Sequence, residues 1–247
     1  MKRSAEEILK RHEKANEEHS RFREMYEDVF EYGMPGRYKT VNKNKTSGTK
    51  NRDNLFASVF EQACDKFVQS FQSLICPVNV DWIDFEAGHM FTQEGQNVSE
   101  VNKELSKIAN ICNIYKGASN FDTAFTEMSY DIIPGTACLC ALEGTPDKPL
   151  RFSTIPFVDL KMEEGIDGEI DTYYRSIKIK NCLVEQQWQG AKHTYENGKD
   201  DEEVELVECT YYDYDIRKWH YAVVSKKGKF IVERVYKCSP FIDLRWS

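Results

Sequence analysis

Apolar residues recur at intervals of three and four up to Gly135 and at intervals of two beyond it. Those are the periods of a helix face and of a half-buried strand. Near the start, Ser4-Ala-Glu-Glu7 has the form of a capping box. Ile8, His12, Ala15, His19, Phe22, Tyr26 and Val29 then form one continuous stripe. The stripe predicts a single helix with a partly polar face against a partner, ending at Gly33, with Pro35 forbidding continuation. A second helix is expected over 54–75, with Phe56, Val59, Phe60, Ala63, Phe67, Phe71 and Leu74 inward and Cys76-Pro77 at its end. Val80-Asp-Trp-Ile-Asp-Phe85 alternates like a strand. A third helix starts near Ser99, shows Val101, Leu105, Ile108, Cys112 and Tyr115 on one side, and stops at Gly117. Ser119 caps a fourth, which turns Phe121, Ala124, Phe125, Met128 and Ile132 inward and closes at Pro134-Gly135.

After Gly135, residues 136–143 and 150–155 flank Gly144-Thr-Pro-Asp147 as a hairpin. Residues 169–179 read as a strand, Asn181 caps a short helix to Trp188, and the polar stretch 195–203 reads as a loop. Residues 204–214, 219–224 and 230–236 read as a meander, its last turn at Lys226-Lys-Gly228-Lys. The expected class is α+β, with a mainly helical region over 1–135 and a mainly β region over 136–247.

Composition narrows the function classes. With 40% hydrophobic and 30% charged residues in 247, the chain carries a real core, which excludes a largely disordered protein. The 14 Phe, 13 Tyr and 4 Trp suit strands and interfaces as well as cores. The net charge is −8, so any contact with DNA must be local. One stretch qualifies: residues 37–52 hold Arg37, Lys39, Lys43, Lys45, Lys50 and Arg52 and no acid. It reads either as a solvated linker or as a contact for DNA, phosphate or an acidic surface of a neighbouring subunit, such as the acid-rich residues 199–208.

No apolar run is long enough to cross a bilayer, and the first residues lack the pattern of a secretory signal, so a cytoplasmic protein is expected. Eight cysteines include no C-x-x-C pair, and the five histidines are not at finger spacing, so reduced thiols, no zinc and no cofactor are expected. His12 and His19 suit metal ligands, pH sensors or seam residues. G-x-G-x-x-G, P-loop, G-x-S-x-G and H-E-x-x-H signatures do not occur. Glu163-Glu164 and Asp200-Asp201 read as solvated turns, and Asp81 with Asp84 as either a strand edge or part of a metal site. No catalytic residues and no metal site are assigned, and the chain is not expected to be an enzyme.

The order of local motifs carries more. Tyr26-Glu-Asp-Val-Phe-Glu-Tyr-Gly-Met-Pro35-Gly-Arg37 is followed by Arg52-Asp-Asn-Leu-Phe56 and by Ser73-Leu-Ile-Cys-Pro77 leading to Trp82-Ile-Asp-Phe85. Then come Ser119-Asn-Phe121-Asp-Thr-Ala-Phe-Thr-Glu127, Asp131-Ile-Ile-Pro-Gly135, Pro149-Leu-Arg-Phe152-Ser-Thr-Ile-Pro156, Gly168-Glu-Ile-Asp-Thr-Tyr-Tyr-Arg175 and Pro240-Phe-Ile-Asp-Leu-Arg245-Trp246. The series resembles the head-to-tail connecting (portal) proteins of short-tailed bacteriophages. Two departures stand out: Ile83 follows the tryptophan where the family usually has Phe, and Pro134 stands where an apolar residue is common. The resemblance implies a structural subunit of a ring, usually of twelve copies, at one capsid vertex. Double-stranded DNA is packaged and ejected through that ring. Terminase, capsid or scaffold and tail adaptor proteins are the implied partners, no membrane is involved, and the location is the virion, with assembly in the host cytoplasm. Residues 1–135 would belong to the body and wing and 136–247 to the wing, an N-terminal portion without the stem, clip and crown. A different class of function, an acidic α+β module binding nucleic acid or an acidic partner through the basic stretch, stays open on the sequence.

Overall fold

The computed structural model describes residues 2–37, 58–88, 97–166, 168–188, 190–191 and 201–245. Helices come first: α1 (Ala5–Ser20), α2 (Arg23–Gly33), α3 (Val59–Ile75), α4 (Val98–Ala118) and α5 (Phe121–Ser129), which tightens into a 3₁₀ turn over Tyr130–Ile132. Strands β1 (Thr136–Thr145), β2 (Lys148–Ile155), β3 (Leu160–Glu164) and β4 (Ile170–Lys180) follow. A short helix α6 (Asn181–Gln187) precedes β5 (Glu203–Asp213), β6 (Lys218–Ser225), β7 (Phe230–Tyr236) and β8 (Phe241–Arg245). Every pairing is antiparallel, in a three-stranded sheet β2-β1-β8 and a five-stranded sheet β3-β4-β5-β6-β7. The α+β class holds.

The layering follows from which side of each strand is apolar. Cys138, Cys140 and Ile155 of the small sheet meet Tyr173, Leu206, Tyr221, Val223 and Ile231 of the large one, and this is the main core. On its other face the large sheet turns Tyr174, Val207, Cys209, Ala222 and Val224 toward α1, which answers with Ala5, Ile8 and Ala15. The small sheet turns Ala137 and Leu139 the other way, against Ala124, Phe125 and Met128 of α5 and the Phe67 and Phe71 rings of α3. The result is four layers: helix, sheet, sheet, helices. A strand covered on both faces is buried at successive positions rather than alternate ones, and Leu206–Tyr211 is, with Glu208 and Thr210 among its buried residues. A fourth cluster, Phe30, Met34, Cys64 and Phe157, ties α2 and α3 to the loop after β2.

Local signals account for several boundaries. The Glu7 N–H donates to the Ser4 hydroxyl at 3.2 Å and starts α1, as the capping box requires. Gly228, at φ +74°, makes the turn between β6 and β7 that a residue with a side chain would strain.

Five expectations need correction. The first stripe is two helices, broken at Arg21 and Phe22, whose N–H groups bond to Glu18 and His19 three residues back. This break lets α1 lie on the large sheet while α2 packs on α3, and no glycine or proline announces it. In α3 the buried side chains are Cys64 and Val68, while Val59, Phe60 and Leu74 are exposed and Phe56 lies outside the described residues. The segment 80–85 is extended but pairs with no strand among the described residues. α4 exposes Ile108 and Tyr115, which its stripe had placed inward. β3 and β8 were not anticipated as separate strands. Both are five residues long, and β8 gains its ladder from β1, about a hundred residues back in the chain.

Candidate functional site

The basic stretch leaves the end of α2. Of its six charged residues, Arg37 is described; Lys39, Lys43, Lys45, Lys50 and Arg52 lie outside the described residues. Arg37 points into the molecule. Its guanidinium donates to Asp131 Oδ1 at 3.0 Å and to the Glu127 carbonyl oxygen at 2.6 Å, and it sits 5.4 Å from the centre of the Tyr130 ring. Asp131 is 1% exposed and also accepts from the Phe157 N–H at 3.3 Å. Burial pushes the Asp131 pKa up to about 6, against the opposing pull of the guanidinium and the Phe157 N–H. Arg37 therefore fixes the exit of α2 to the 3₁₀ turn after α5.

A cleft of about 770 Å³ opens beside it, lined by Gly33–Arg37, Glu61, Asp65, Glu127 and Tyr130 among others. Tyr130 donates to Asp65 at 3.0 Å across this wall. Arg37, the first residue of the basic stretch, thus sits at a recess lined by Glu61, Asp65 and Glu127.

The acid-rich run 199–208, named as a possible counterpart, divides in the fold. Lys199 and Asp200 lie outside the described residues; Glu205 and Glu208 stand on β5 as expected, and Glu203, placed in the loop by the sequence, begins that strand. Glu205 lies between Lys178, at 2.8 Å, and Lys226, and its hydrogen bonds to these two ammonium groups lower its pKa to about 2. Glu208 is 2% exposed between the sheets, where it accepts from the Tyr221 hydroxyl and faces Arg175 at 3.7 Å. Trp188 completes the chain by donating its indole N–H to the Tyr221 oxygen at 2.7 Å. Burial raises the Glu208 pKa in spite of Arg175. Asp201 is exposed and paired with Lys180 at 3.2 Å.

The other acidic candidates also have structural partners. Glu163 and Glu164 are consecutive on β3 and so face opposite sides. Glu163 accepts from Arg11 of α1 at 3.0 Å, and Glu164 faces Arg245 of β8 at 3.4 Å. They are strand residues, not a solvated turn. Asp81 and Asp84 are exposed on the extended segment, where Asp84 accepts from the adjacent Phe85 N–H at 2.9 Å. Among the described residues no three His, Cys, Asp or Glu side chains converge in a metal-binding group. His12 and His19 lie in the seam that the sequence offered as one reading. His12 is 3.0 Å from the Ser176 hydroxyl, and the His19 ring is 5.2 Å from that of Phe157. Burial lowers both pKa values to about 4.

A second cleft, of about 690 Å³, runs between the β1–β2 hairpin and β6–β7, with Cys140, Arg151, Trp188, Tyr221, Arg234 and Tyr236 in its walls. Its titratable groups are poorly suited to attack on a substrate. Burial raises the pKa of both the Cys140 thiol and the Tyr221 phenol, which holds them protonated.

Sequence reasoning missed the residues that organise α4. The Asn113 side-chain amide accepts from the Ile83 N–H at 3.2 Å and donates to the Ile83 carbonyl at 3.0 Å. It thus replaces one residue of a neighbouring strand. The Ala87 N–H donates to Asn102 at 2.8 Å, and the Lys116 ammonium donates to the Val80 carbonyl at 2.9 Å. The extended segment therefore runs antiparallel along α4. The available signal was three polar residues, Asn102, Asn113 and Lys116, at helical spacing on one face.

No helix among the described residues is long and apolar enough to cross a membrane. A comparison with curated proteins finds no match. Residues 5–247 match the family of the bacteriophage head to tail connecting protein. That match takes in the four layers, the Arg37–Asp131 clamp and the extended segment along α4 in one continuous stretch, and the chain belongs to this family of structural phage proteins.

Proposed function

We propose that the chain is the wing and adjoining body of a portal subunit, and that copies of it close into a ring through which double-stranded DNA enters and leaves the capsid. The observation that carries this reading is the extent of the family match, from residue 5 to residue 247, over a chain whose helix-then-sheet order is that of the motif series. In this reading residues 1–135 form body and wing and residues 136–247 the wing. Its partners are other copies of itself, with twelve the expected number, then terminase, capsid or scaffold and tail adaptor proteins. It performs no catalysis, and assembly takes place in the host cytoplasm.

The test is electron microscopy and native mass spectrometry of the purified 247-residue chain. Rings of uniform diameter with a central hole are expected. A monomer at every concentration overturns ring formation by this chain.

The remaining basic residues are proposed as a contact for DNA or for a neighbouring subunit. Replacing Lys39, Lys43, Lys45 and Lys50 by Gln, followed by assays of DNA binding and assembly, separates the two. Loss of a steeply salt-dependent, sequence-indifferent DNA affinity supports DNA. Loss of assembly supports the subunit. No change in either leaves the stretch as a linker.

A further inference from the structure

The small sheet covers only part of the large one. Tyr173 of β4 donates to Asp243 of β8, and Arg245 of β8 faces Glu164 of β3, so the small sheet lies over the β3–β4 side. Toward β6 and β7 the two sheets part, and the cleft of about 690 Å³ opens between them. Ligand sites fall between about 300 and 1,000 Å³. The strand registers show what faces the opening. Arg151 pairs with Leu142, two residues along from the pair of Ser153 with the buried Cys140, so it stands on the inter-sheet side of β2. Arg234 pairs with the buried Tyr221 and stands on the inter-sheet side of β7. Two guanidinium groups therefore line the cleft from opposite walls, with Lys148 at the hairpin end and Glu143 as the one carboxylate among the described lining residues. The side chains of Arg151 and Lys148 have no hydrogen-bond or ion-pair partner among the described residues. The aromatic floor is fixed in advance. Trp188 donates to Tyr221, Tyr221 donates to Glu208, and the Tyr221 and Tyr236 rings meet edge to face at 6.0 Å.

We propose that this cleft binds a small organic phosphate, a phosphomonoester on a polar body of about nucleotide size. Charge selects the phosphate. Three cations against one carboxylate leave two positive charges, which match the about −1.5 to −2 of a phosphomonoester at neutral pH better than the single charge of a carboxylate or phosphodiester. The guanidinium fork also fits phosphate oxygens in pairs. Size and lining select the body. An inorganic ion leaves most of the cleft empty, and the amides of Gln186 and Gln187 beside the Trp188 and Tyr236 rings suit a polar ring rather than an alkyl chain. The site is a local positive feature of a chain of net charge −8, and it does not depend on whether copies of the chain assemble.

Calorimetric titration of the 247-residue chain with adenosine 5′-monophosphate, ribose 5-phosphate, adenosine, inorganic phosphate and citrate tests it. At least one of the two phosphate esters should bind and raise the melting temperature, and adenosine should do neither. Tighter binding of adenosine 5′-monophosphate than of ribose 5-phosphate supports a nucleotide, and equal binding supports a sugar phosphate. Arg151→Gln with Lys148→Gln should weaken the binding by about tenfold or more, with the melting temperature of the free protein unchanged because neither side chain has a partner to lose. In the parent chain the bound ester should protect Arg151 from phenylglyoxal, which decides the matter if the double variant unfolds. Inorganic phosphate binding as tightly as the esters overturns the organic body, and citrate binding as tightly overturns the phosphate. Displacement of the ester by a single-stranded oligonucleotide without a terminal phosphate, at equal nucleotide concentration, overturns the small ligand in favour of nucleic acid. No binding of either ester at millimolar concentration, or binding with Arg151 unprotected, overturns the site.

Discussion

β5 buries eight of its eleven side chains, whereas α4 buries three of twenty-one. The strand sits between the inter-sheet core and the α1 layer, so both of its faces are completed within one chain. Glu208, one of its two buried acids, is supplied with a hydroxyl and a guanidinium in the same core. The helix is completed on one side only, and polar anchors do the completing: Asn113, Asn102 and Lys116 tie down the extended segment while the isoleucines face outward. The difference teaches that apolar content and burial are separate properties in this molecule. The sheets bury their apolar side chains within the chain, whereas α4 leaves most of its isoleucines exposed.

The strongest challenge to that contrast is Glu208→Ala. It strands Arg175 between the sheets and removes the acceptor of Tyr221, so a loss of about 3–5 kcal/mol is expected, or roughly 6–20 °C in melting temperature. An unchanged urea midpoint would show that the inter-sheet network is not part of what holds the two sheets together.

Asp131→Ala comes next, at about 3 kcal/mol, because it removes the charged partner of Arg37, which keeps only the Glu127 carbonyl, and leaves the Phe157 N–H without its acceptor. Asp131 also has a signed pH signature. Its folded pKa of about 6 lies above the ordinary carboxylate value of 3.8, so folding takes up a proton between those pH values. Its contribution is complete below the lower value and is lost as pH rises through the upper one. Asp131→Asn should therefore gain on the parent chain as pH goes from 4 to 6.

His12 and His19 act in the opposite sense over an overlapping range. Their folded pKa values, near 4, lie below the ordinary 6.5, so stability from these groups is present above 6.5 and lost on acidification toward 4. Unfolding of His12→Leu followed over that interval should show a shallower acid loss than the parent chain. An identical slope would mean that His12 does not lose its charge on folding.

Smaller effects are expected around α4. Asn113→Ala deletes both side-chain bonds to Ile83, and about 1 kcal/mol of local stability should go with them. Hydrogen exchange at residues 80–88 should accelerate while the sheets keep their protection. Ile111→Ser, measured on dilute monomer, should move the unfolding midpoint by no more than about 0.5 kcal/mol. Val223→Ser in the inter-sheet core should cost several times more. Similar costs at the two positions would dissolve the contrast between the regions.

The local devices were legible without any coordinates. The capping box at Ser4, the glycine turn at Gly228, the hairpin around Gly144 and the change of period at Gly135 each depend on neighbours within a few residues, and each appears where the pattern put it. The motif order was legible for a related reason: a series of short segments in fixed sequence survives even where single residues such as Ile83 depart. Of the candidate contact site, the sequence showed the run of positive charge but not that Arg37 turns inward. Its partner Asp131 lies ninety-four residues away, on a turn whose burial comes from α5 and the loop after β2.

Residues 80–85 illustrate what only the tertiary structure decided. Alternation specifies an extended backbone, and the backbone is extended, but whether it joins a sheet depends on what lies beside it. Here the neighbour is a helix, and an asparagine side chain offers the donor and acceptor that a strand would have offered. The inward face of α4 was decided the same way. Its isoleucines qualified for the interior by hydrophobicity alone, but the hydrogen-bonding demand of an extended segment brought the polar face of Asn102, Asn113 and Lys116 inward instead. Elements and their order follow from the sequence because they are set by nearest neighbours and period. The facing of an element with both an apolar and a polar stripe is set by the polar groups that must be satisfied on one side of it, and those come from distant parts of the chain.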